Sequence, residues 1–573
     1  MKPVEEMNLW PINGMSHVRG DRSEPVWNIT IPKAVRRTVS ECPTGLAAVF
    51  NSRNVRWTYK EFATQVDRLA SGLLSLGLKR GDRVGVWSPN CPEWVLLQFA
   101  TARIGLILVT INPAYRPREA EYALRRVGVK LLLVAERFKS SCYIAMLREM
   151  APEIQTTPRR RLEISRLPKL RHCVHTGAAS IDGMYSFGEI MARSGKEIEG
   201  ELDRMSDALD PDDAINIQFT SGTTGAPKGA TLTHKNIVNN ARFVAATLKF
   251  GPADRLCIPV PLYHCFGMVM GSLACMTTAS TMVFPSDSFD ARSTVEALQQ
   301  ERCTALYGVP TMFVAMLDEL ASQPRDISSL RTGIMAGAPC PMEIMRRVID
   351  VMNLREITIA YGMTETSPVS FQSHVDDSLE RRVGTVGRIH PQVEVKIVDR
   401  AGQVVPTGEQ GEICTRGYSV MKGYWDDPAT TAKCIDDEGW MHTGDLGILD
   451  SDGYCRIAGR ITDMVIRGGE NIYPREIEEF IYRHPQVQVV QVFGVPDETM
   501  GEEVCAWIIA TPNSTVTAAE IREHCREGMA HFKIPKHVRF THEMPMTVTG
   551  KPQKFKMRAA MIEELKGKTK SRN

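Results

Sequence analysis

Thr220-Ser-Gly-Thr-Thr-Gly-Ala-Pro-Lys-Gly229 is a run of glycine, hydroxyl side chains and one lysine. It follows Ile215, Ile217 and Phe219, whose alternation predicts a strand, and it precedes Thr233, which reads as the N-cap of a helix carrying Ile237, Ala241 and Val244 on one face. Glycines let main-chain N–H groups turn toward an anion, hydroxyls add donors, and Lys228 supplies a compact positive charge. A strand, a phosphate-handling loop and a helix in that order predict an α/β fold. The run is not a Walker loop, because Pro227 precedes Lys228 and Gly229 follows it where that loop has glycine and then serine or threonine. A different nucleotide chemistry is implied.

The α/β rhythm extends upstream. Ala63 to Leu78 repeats apolar residues at helical spacing before the strand-like Val84-Gly-Val-Trp87, and the pattern recurs over Trp94 to Val109 and Val127 to Ala135. Downstream, Thr332 to Met335 leads into Gly337-Ala338-Pro339, and Ile357 to Ala360 leads into Tyr361-Gly-Met-Thr-Glu-Thr366. Ligands of open α/β sheets sit beyond the carboxyl ends of strands, so these loops are expected to converge on one ligand. Beyond Gly384 short strands and turns predict a β-rich part, and from Ile461 onward the pattern is that of a small α+β domain.

The chain has 573 residues, 43% hydrophobic and 24% charged, which is ordinary globular composition. Its net charge of +2 excludes a whole-chain field for nucleic acid or anionic membrane. No two glycines are separated by a single residue, so the dinucleotide fingerprint Gly-x-Gly-x-x-Gly does not occur and a dehydrogenase is excluded. Fourteen cysteines without a Cys-x-x-Cys pair predict reduced thiols. His172-Cys-Val-His175 reads as a surface loop without zinc, and Pro158 to Arg171 as a solvated basic loop. Glu5 and Glu6 fit neither a secretory signal nor a transit peptide, so the expected location is cytoplasmic. Cys265 to Phe284 is uncharged over roughly the length of a membrane span. Its Gly, Ser and Thr residues predict instead a buried helix and a short strand, Thr281 to Phe284.

Thr220 to Gly229, Tyr361 to Thr366, Thr443-Gly-Asp445, Gly459-Arg460 and Thr549-Gly-Lys551 stand in the order of the signatures of the adenylate-forming superfamily, which the chain resembles from about Trp57 to Arg558. Met421-Lys-Gly-Tyr-Trp425 and Ile466 to Pro474 are similar to its medium-chain acyl-CoA synthetase branch. The resemblance implies a large N-terminal adenylation domain, 1–459, of parallel-rich sheets with helices and a β-rich part near 384–459. A hinge at 460–463 and a small mobile α+β domain at 464–573 would complete the chain. It implies a ligase that uses ATP, Mg2+ and coenzyme A to convert a carboxylic acid into acyl-AMP and then a thioester, with no nucleic-acid partner.

On that resemblance Thr220, Ser221, Gly222, Thr223, Thr224, Gly225, Ala226, Pro227 and Lys228 hold the phosphates. Gly337, Ala338, Pro339 and Tyr361 flank the base, Gly362 and Thr364 belong to the same nucleotide site, and Asp445 takes the ribose with Arg460 as a second ribose and phosphate contact. Glu365, with Thr220, offers hard oxygen ligands to magnesium. Lys551 swings in for adenylation, and His264 in Pro261-Leu-Tyr-His-Cys-Phe-Gly267 gates the carboxylate beside an apolar acyl tunnel. Lys551, Lys228 and His264 are the expected catalytic residues. The hinge departs from the family in having Thr462 where aspartate or lysine is usual, with Asp463 beside it. An aryl-acid ligase, an adenylating enzyme with another acceptor and a non-catalytic nucleotide sensor are the alternatives. Acyl length and oligomeric state, a homo-oligomer included, stay open.

Overall fold

The computed structural model describes residues 10–193, 199–220, 227–338, 340, 342–547 and 552–570. Among these residues, two large sheets dominate the N-terminal part. The first has eight strands in the spatial order Tyr185–Ser186, His172–His175, Leu131–Val134, Arg83–Trp87, Ile107–Thr110, Ala214–Thr220, Lys228–Thr233 and Gly423–Tyr424. Its strands are parallel up to Ala214–Thr220, which then pairs antiparallel with Lys228–Thr233, so that Thr220 and Lys228 stand directly opposite each other. The second, nine-stranded sheet has a parallel centre that includes Ala305–Gly308, Thr332–Ala336 and Glu356–Gly362. This is the α/β architecture expected from the sequence.

Buried helices fill the space beside these sheets. Pro92–Arg103 is buried along almost its whole length, including Trp94, Leu97 and Phe99, as expected of a helix that is apolar all round. His234–Thr247 starts at Thr233, whose hydroxyl accepts the Asn236 N–H in a reciprocal capping box. Its Asn240 side chain bonds both the N–H and the C=O of Val369, tying the helix to the second sheet. Each fully buried Leu or Phe of this core contributes roughly 1.5–3 kcal/mol.

The uncharged segment behaves as its composition predicts. Cys265–Gly267, a π-helical turn Met268–Leu273 and Ala274–Thr278 form one buried helical run, Ala279 turns in the left-handed region at φ 57°, and Thr281–Phe284 is a buried strand. No helix among the described residues is long and apolar enough to cross a membrane. In the π turn, Gln98 of the neighbouring helix donates its amide N–H to the Met268 carbonyl at 3.2 Å, and the Ser272 hydroxyl lies 2.7 Å from the same oxygen. Side-chain groups thus satisfy a carbonyl where the regular ladder is interrupted.

Two loop readings are corrected. His172–His175 is a strand inside the first sheet, with Cys173 and His175 fully buried, and not a surface loop. Pro158 to Arg171 is not simply solvated: Leu162, Ile164, Leu167 and Leu170 are buried in a core with Tyr143 and Met150. Its arginines are partnered as well, Arg166 by Glu121 and Arg159 by Glu189 at 2.9 Å.

The β-rich part is a five-stranded antiparallel sheet of His17–Arg19, Val393–Val398, Gln410–Gly417, Met441–Leu449 and Cys455–Arg460. A single 3-10 turn, Ile461–Asp463, follows Arg460. Beyond it, Val465–Arg467, Glu470–Ile472, Val487–Asp497, Gly501–Ala510 and His537–Phe540 form a small sheet packed with the helices Pro474–Ile481 and Ala518–Arg526 around its own core.

Candidate active site

The carboxyl end of the strand Ala214–Thr220 delivers Thr220 toward Glu365. The Thr220 hydroxyl donates to Glu365 Oε1 at 3.0 Å, and the Tyr424 hydroxyl donates to the same oxygen at 2.9 Å. Glu365 is only 4% exposed. Among the described residues, no lysine, arginine or histidine lies within ion-pairing distance of it. A buried carboxylate with hydroxyl donors but no cation is costly unless a positive charge arrives from elsewhere. Carboxylate and hydroxyl oxygens are the hard donors magnesium prefers, so these residues fit that ion. Burial first, and then the Glu365 charge, push the Tyr424 phenol far up, which keeps it a proton donor at any physiological pH.

Lys228 lies on the adjacent strand with its ammonium 5.2 Å from the centre of the Tyr424 ring. Tyr424 is therefore shared between the expected phosphate-binding lysine and the expected metal carboxylate. Its place in a two-residue strand, Gly423–Tyr424, gave no periodic signal to read.

A second group forms around Asp445. The Tyr361 hydroxyl donates to Asp445 Oδ2 at 2.7 Å, and Arg460 Nε lies 2.8 Å from Asp445 Oδ1. Tyr361 thus uses its hydroxyl here as well as offering an aromatic face. Burial and the neighbouring Asp445 hold its phenol well above the ordinary range. The Asp445 charge, chiefly, raises Arg460, whose guanidinium therefore stays charged at physiological pH.

Asp445 owes its position to an irregularity in strand pairing. Cys414 pairs with His442 and Glu412 with Leu446, so Thr443-Gly444-Asp445 bulges from the strand Met441–Leu449. Gly444 sits at φ 71°, a conformation glycine adopts without penalty. Its N–H donates to Glu412 Oε1 at 3.0 Å, and the Thr443 hydroxyl donates to the Ile413 carbonyl at 2.8 Å.

Thr364 is buried beside Glu365, whereas Gly337 and Gly362 are exposed at strand ends, with Ala338 half-buried. Gly362 cannot be replaced cheaply: a Cβ there would lie 1.8 Å from the Pro368 carbonyl oxygen. His264 is half-buried and caps the Cys265–Gly267 turn, its Nδ1 accepting the Phe266 N–H at 3.4 Å. The turn is braced by Gln218, which accepts from Cys265 Sγ at 3.2 Å and donates to Met268 Sδ at 3.5 Å. Pro227 is half-buried next to Lys228. Ser221, Gly222, Thr223, Thr224, Gly225 and Ala226, together with Pro339 and Lys551, lie outside the described residues.

The family model described as AMP-binding enzyme matches residues 35–425, and the one described as AMP-binding enzyme C-terminal domain matches residues 476–551. The chain belongs to the AMP-binding enzyme family. Its relatives in that family include the medium-chain acyl-CoA ligase ACSF2, mitochondrial, of Danio rerio, 45% identical over 96% of this chain and 91% of the relative. The putative acyl-CoA synthetase YngI of Bacillus subtilis (strain 168) is also 45% identical, over 93% of this chain and 97% of its own length. Among solved structures, the anthranilate CoA ligase AuaEII in complex with anthranoyl-AMP superposes with a TM-score of 0.81 at 26% identity, covering 94% of this chain and 98% of that one. The adenylate-forming assignment drawn from the ordered motifs therefore stands.

Proposed function

We propose that this AMP-binding enzyme is an ATP-dependent fatty acid–CoA ligase acting on medium-chain acids. The carboxylate and ATP give acyl-AMP and pyrophosphate, and coenzyme A then displaces AMP to form the thioester. The observation that carries the reading is the pair of polar clusters: buried Glu365 with Thr220, Tyr424 and Lys228 on one side, and Asp445 with Tyr361 and Arg460 on the other. The first suits a polyphosphate with its cation, the second a ribose diol. The names of the Danio rerio and Bacillus subtilis relatives support an acyl-CoA product, and the first supports the chain length.

The chemistry requires one anion to attack another. Lys228 offsets charge at the phosphates, and Thr220 and Tyr424 hold Glu365 where it would bind the magnesium of MgATP. Bound there, that ion neutralises charge moving onto pyrophosphate. Asp445 accepts the ribose hydroxyls, which fixes the α-phosphate relative to the acid. His264 borders the carboxylate, and the buried run Cys265–Thr278 supplies apolar wall for the acyl chain. We assign residues 1–459 to an adenylation domain, 460–463 to a hinge and 464–573 to a C-terminal domain that brings Lys551 to the reacting carboxylate and later withdraws it. Thr462 is exposed within the hinge turn, which leaves Asp463 as the hinge's own carboxylate adding to the Asp445 charge on Arg460.

All fourteen cysteines are free thiols, which supports a reducing compartment, and we propose the cytoplasm. The test is AMP release in the presence of ATP, Mg2+ and coenzyme A over short, medium, long and aromatic acids. A maximum at medium chains is expected. A maximum at aromatic acids would reassign the enzyme to the chemistry of the anthranilate ligase, and no AMP with any acid would refute the ligase reading.

A further inference from the structure

The bulge that carries Asp445 also gathers three donors that the adenylation chemistry does not use. Glu412, Cys414 and His442 place a carboxylate oxygen, a thiol sulfur and an imidazole nitrogen within 4.8 Å of one another. His442 Nδ1 is 2.9 Å from Glu412 Oε2 and 3.4 Å from Cys414 Sγ. Ligand atoms around a tetrahedral zinc ion, at metal distances of about 2.0–2.3 Å, stand roughly 3.3–3.6 Å apart. Only a few tenths of an ångström separate the nitrogen–oxygen distance here from that spacing.

The other side of the imidazole is prepared as well. His442 Nε2 faces Asp436 Oδ2 at 3.7 Å, and Asp436 is itself fixed by accepting the N–H groups of Glu438 at 3.0 Å and Trp440 at 2.8 Å. A ligating histidine that offers its second nitrogen to a carboxylate is the usual outer support of a zinc site. The strands fix the donors too. Cys414 and His442 are paired neighbours across the ladder, and the bulge lets Glu412 turn to the same point.

We propose that Glu412, Cys414 and His442 form a binding site for a borderline divalent cation of the zinc class, with Asp436 orienting His442 and water completing the tetrahedron. The sulfur donor distinguishes this site from the all-oxygen Glu365 site and disfavours magnesium. On binding, the Cys414 thiol proton passes to solvent and a sulfur–metal bond forms. Because Glu412 Oε1 also holds the Gly444 N–H, the cation would grip the turn that presents Asp445.

The test uses the full chain, stripped with chelator and titrated with Co2+ alone, followed by Zn2+. One equivalent of Co2+ is expected to give a thiolate-to-cobalt charge-transfer band that Zn2+ displaces. Cys414→Ser should abolish the band, and Asp436→Asn should weaken binding about 10- to 100-fold, as for other outer partners of a ligating histidine. Glu412→Gln, which keeps an acceptor for Gly444, guards against a folding defect in the cysteine variant and should weaken binding at least tenfold. No band, a band that survives Cys414→Ser, or unchanged affinity in Glu412→Gln would overturn the proposal.

Discussion

Replacing Tyr424 by phenylalanine removes one oxygen and leaves the ring. In the structure that oxygen supplies one of two hydroxyl bonds to Glu365 Oε1, the other coming from Thr220. A hydrogen bond to a charged group contributes about 1.5–3 kcal/mol. The ring stays 5.2 Å from the Lys228 ammonium, so the cation–π contact is retained. The loss therefore falls on the orientation of Glu365, and kcat/KM for MgATP should drop about 10- to 150-fold. If the tyrosine acts through the metal carboxylate, the deficit is largest at limiting Mg2+ and shrinks as Mg2+ is raised. Pyrophosphate exchange across a Mg2+ series gives the rate, and calorimetric titration with a non-hydrolysable MgATP analogue gives the binding. Thr220→Val and the double variant complete a cycle, and two donors on one oxygen should couple rather than add. A Tyr424→Phe enzyme within twofold of wild type at every Mg2+ concentration, or one whose deficit ignores Mg2+, would refute the reasoning.

Three further outcomes are expected. Lys551→Ala should slow adenylation about 10²- to 10³-fold while sparing thioester formation from supplied acyl-AMP, measured as separate half-reactions; equal loss in both would count against a rotating C-terminal domain. Asp445→Asn, which loses a charged acceptor, should raise KM for ATP about tenfold or more with a smaller change in kcat, and an unchanged KM would remove it from the ribose site. His234 is buried and neutral, held by burial to about 3 while its Nδ1 accepts the Ile31 N–H at 3.2 Å. Its folded pKa lies below the unfolded value, so its stability is fully present above about pH 6.5 and falls by up to about 1.4 kcal/mol per pH unit as pH drops toward the folded value. Denaturation midpoints from pH 7 to pH 4 should fall less steeply in His234→Asn, and an identical slope would show that this histidine does not set acid sensitivity.

Much of the architecture was legible because its signals are local. Thr233 announces its helix, the alternation of Ile215, Ile217 and Phe219 announces the strand before the loop, and small polar residues betray the false membrane segment. His172–His175 escaped because a four-residue strand with histidine at both ends carries no periodicity, although the sheet buries three of its four residues. The buried leucines of Pro158 to Arg171 were masked by surrounding arginines, which find carboxylates and so need not mark a solvated face. At the site, Asp445, Glu365 and Lys228 stand in short motifs. Tyr424 and the Glu412, Cys414 and His442 cluster acquire meaning only from pairing between strands distant in sequence, which no local pattern encodes.

The π turn at Met268–Leu273 marks a place where the buried run tolerates a change of length. A π turn holds about one residue more than an α turn, so deleting a single residue there would let the helix close into regular α geometry. Because the turn absorbs the extra residue locally, the residues on either side would keep the faces they now present, whereas the same deletion in a regular α-helix would rotate one side by about 100° relative to the other. Only the side chains of the turn itself would shift. One residue lost at this point would therefore reshape the buried run at a single turn and leave the rest of its packing in place.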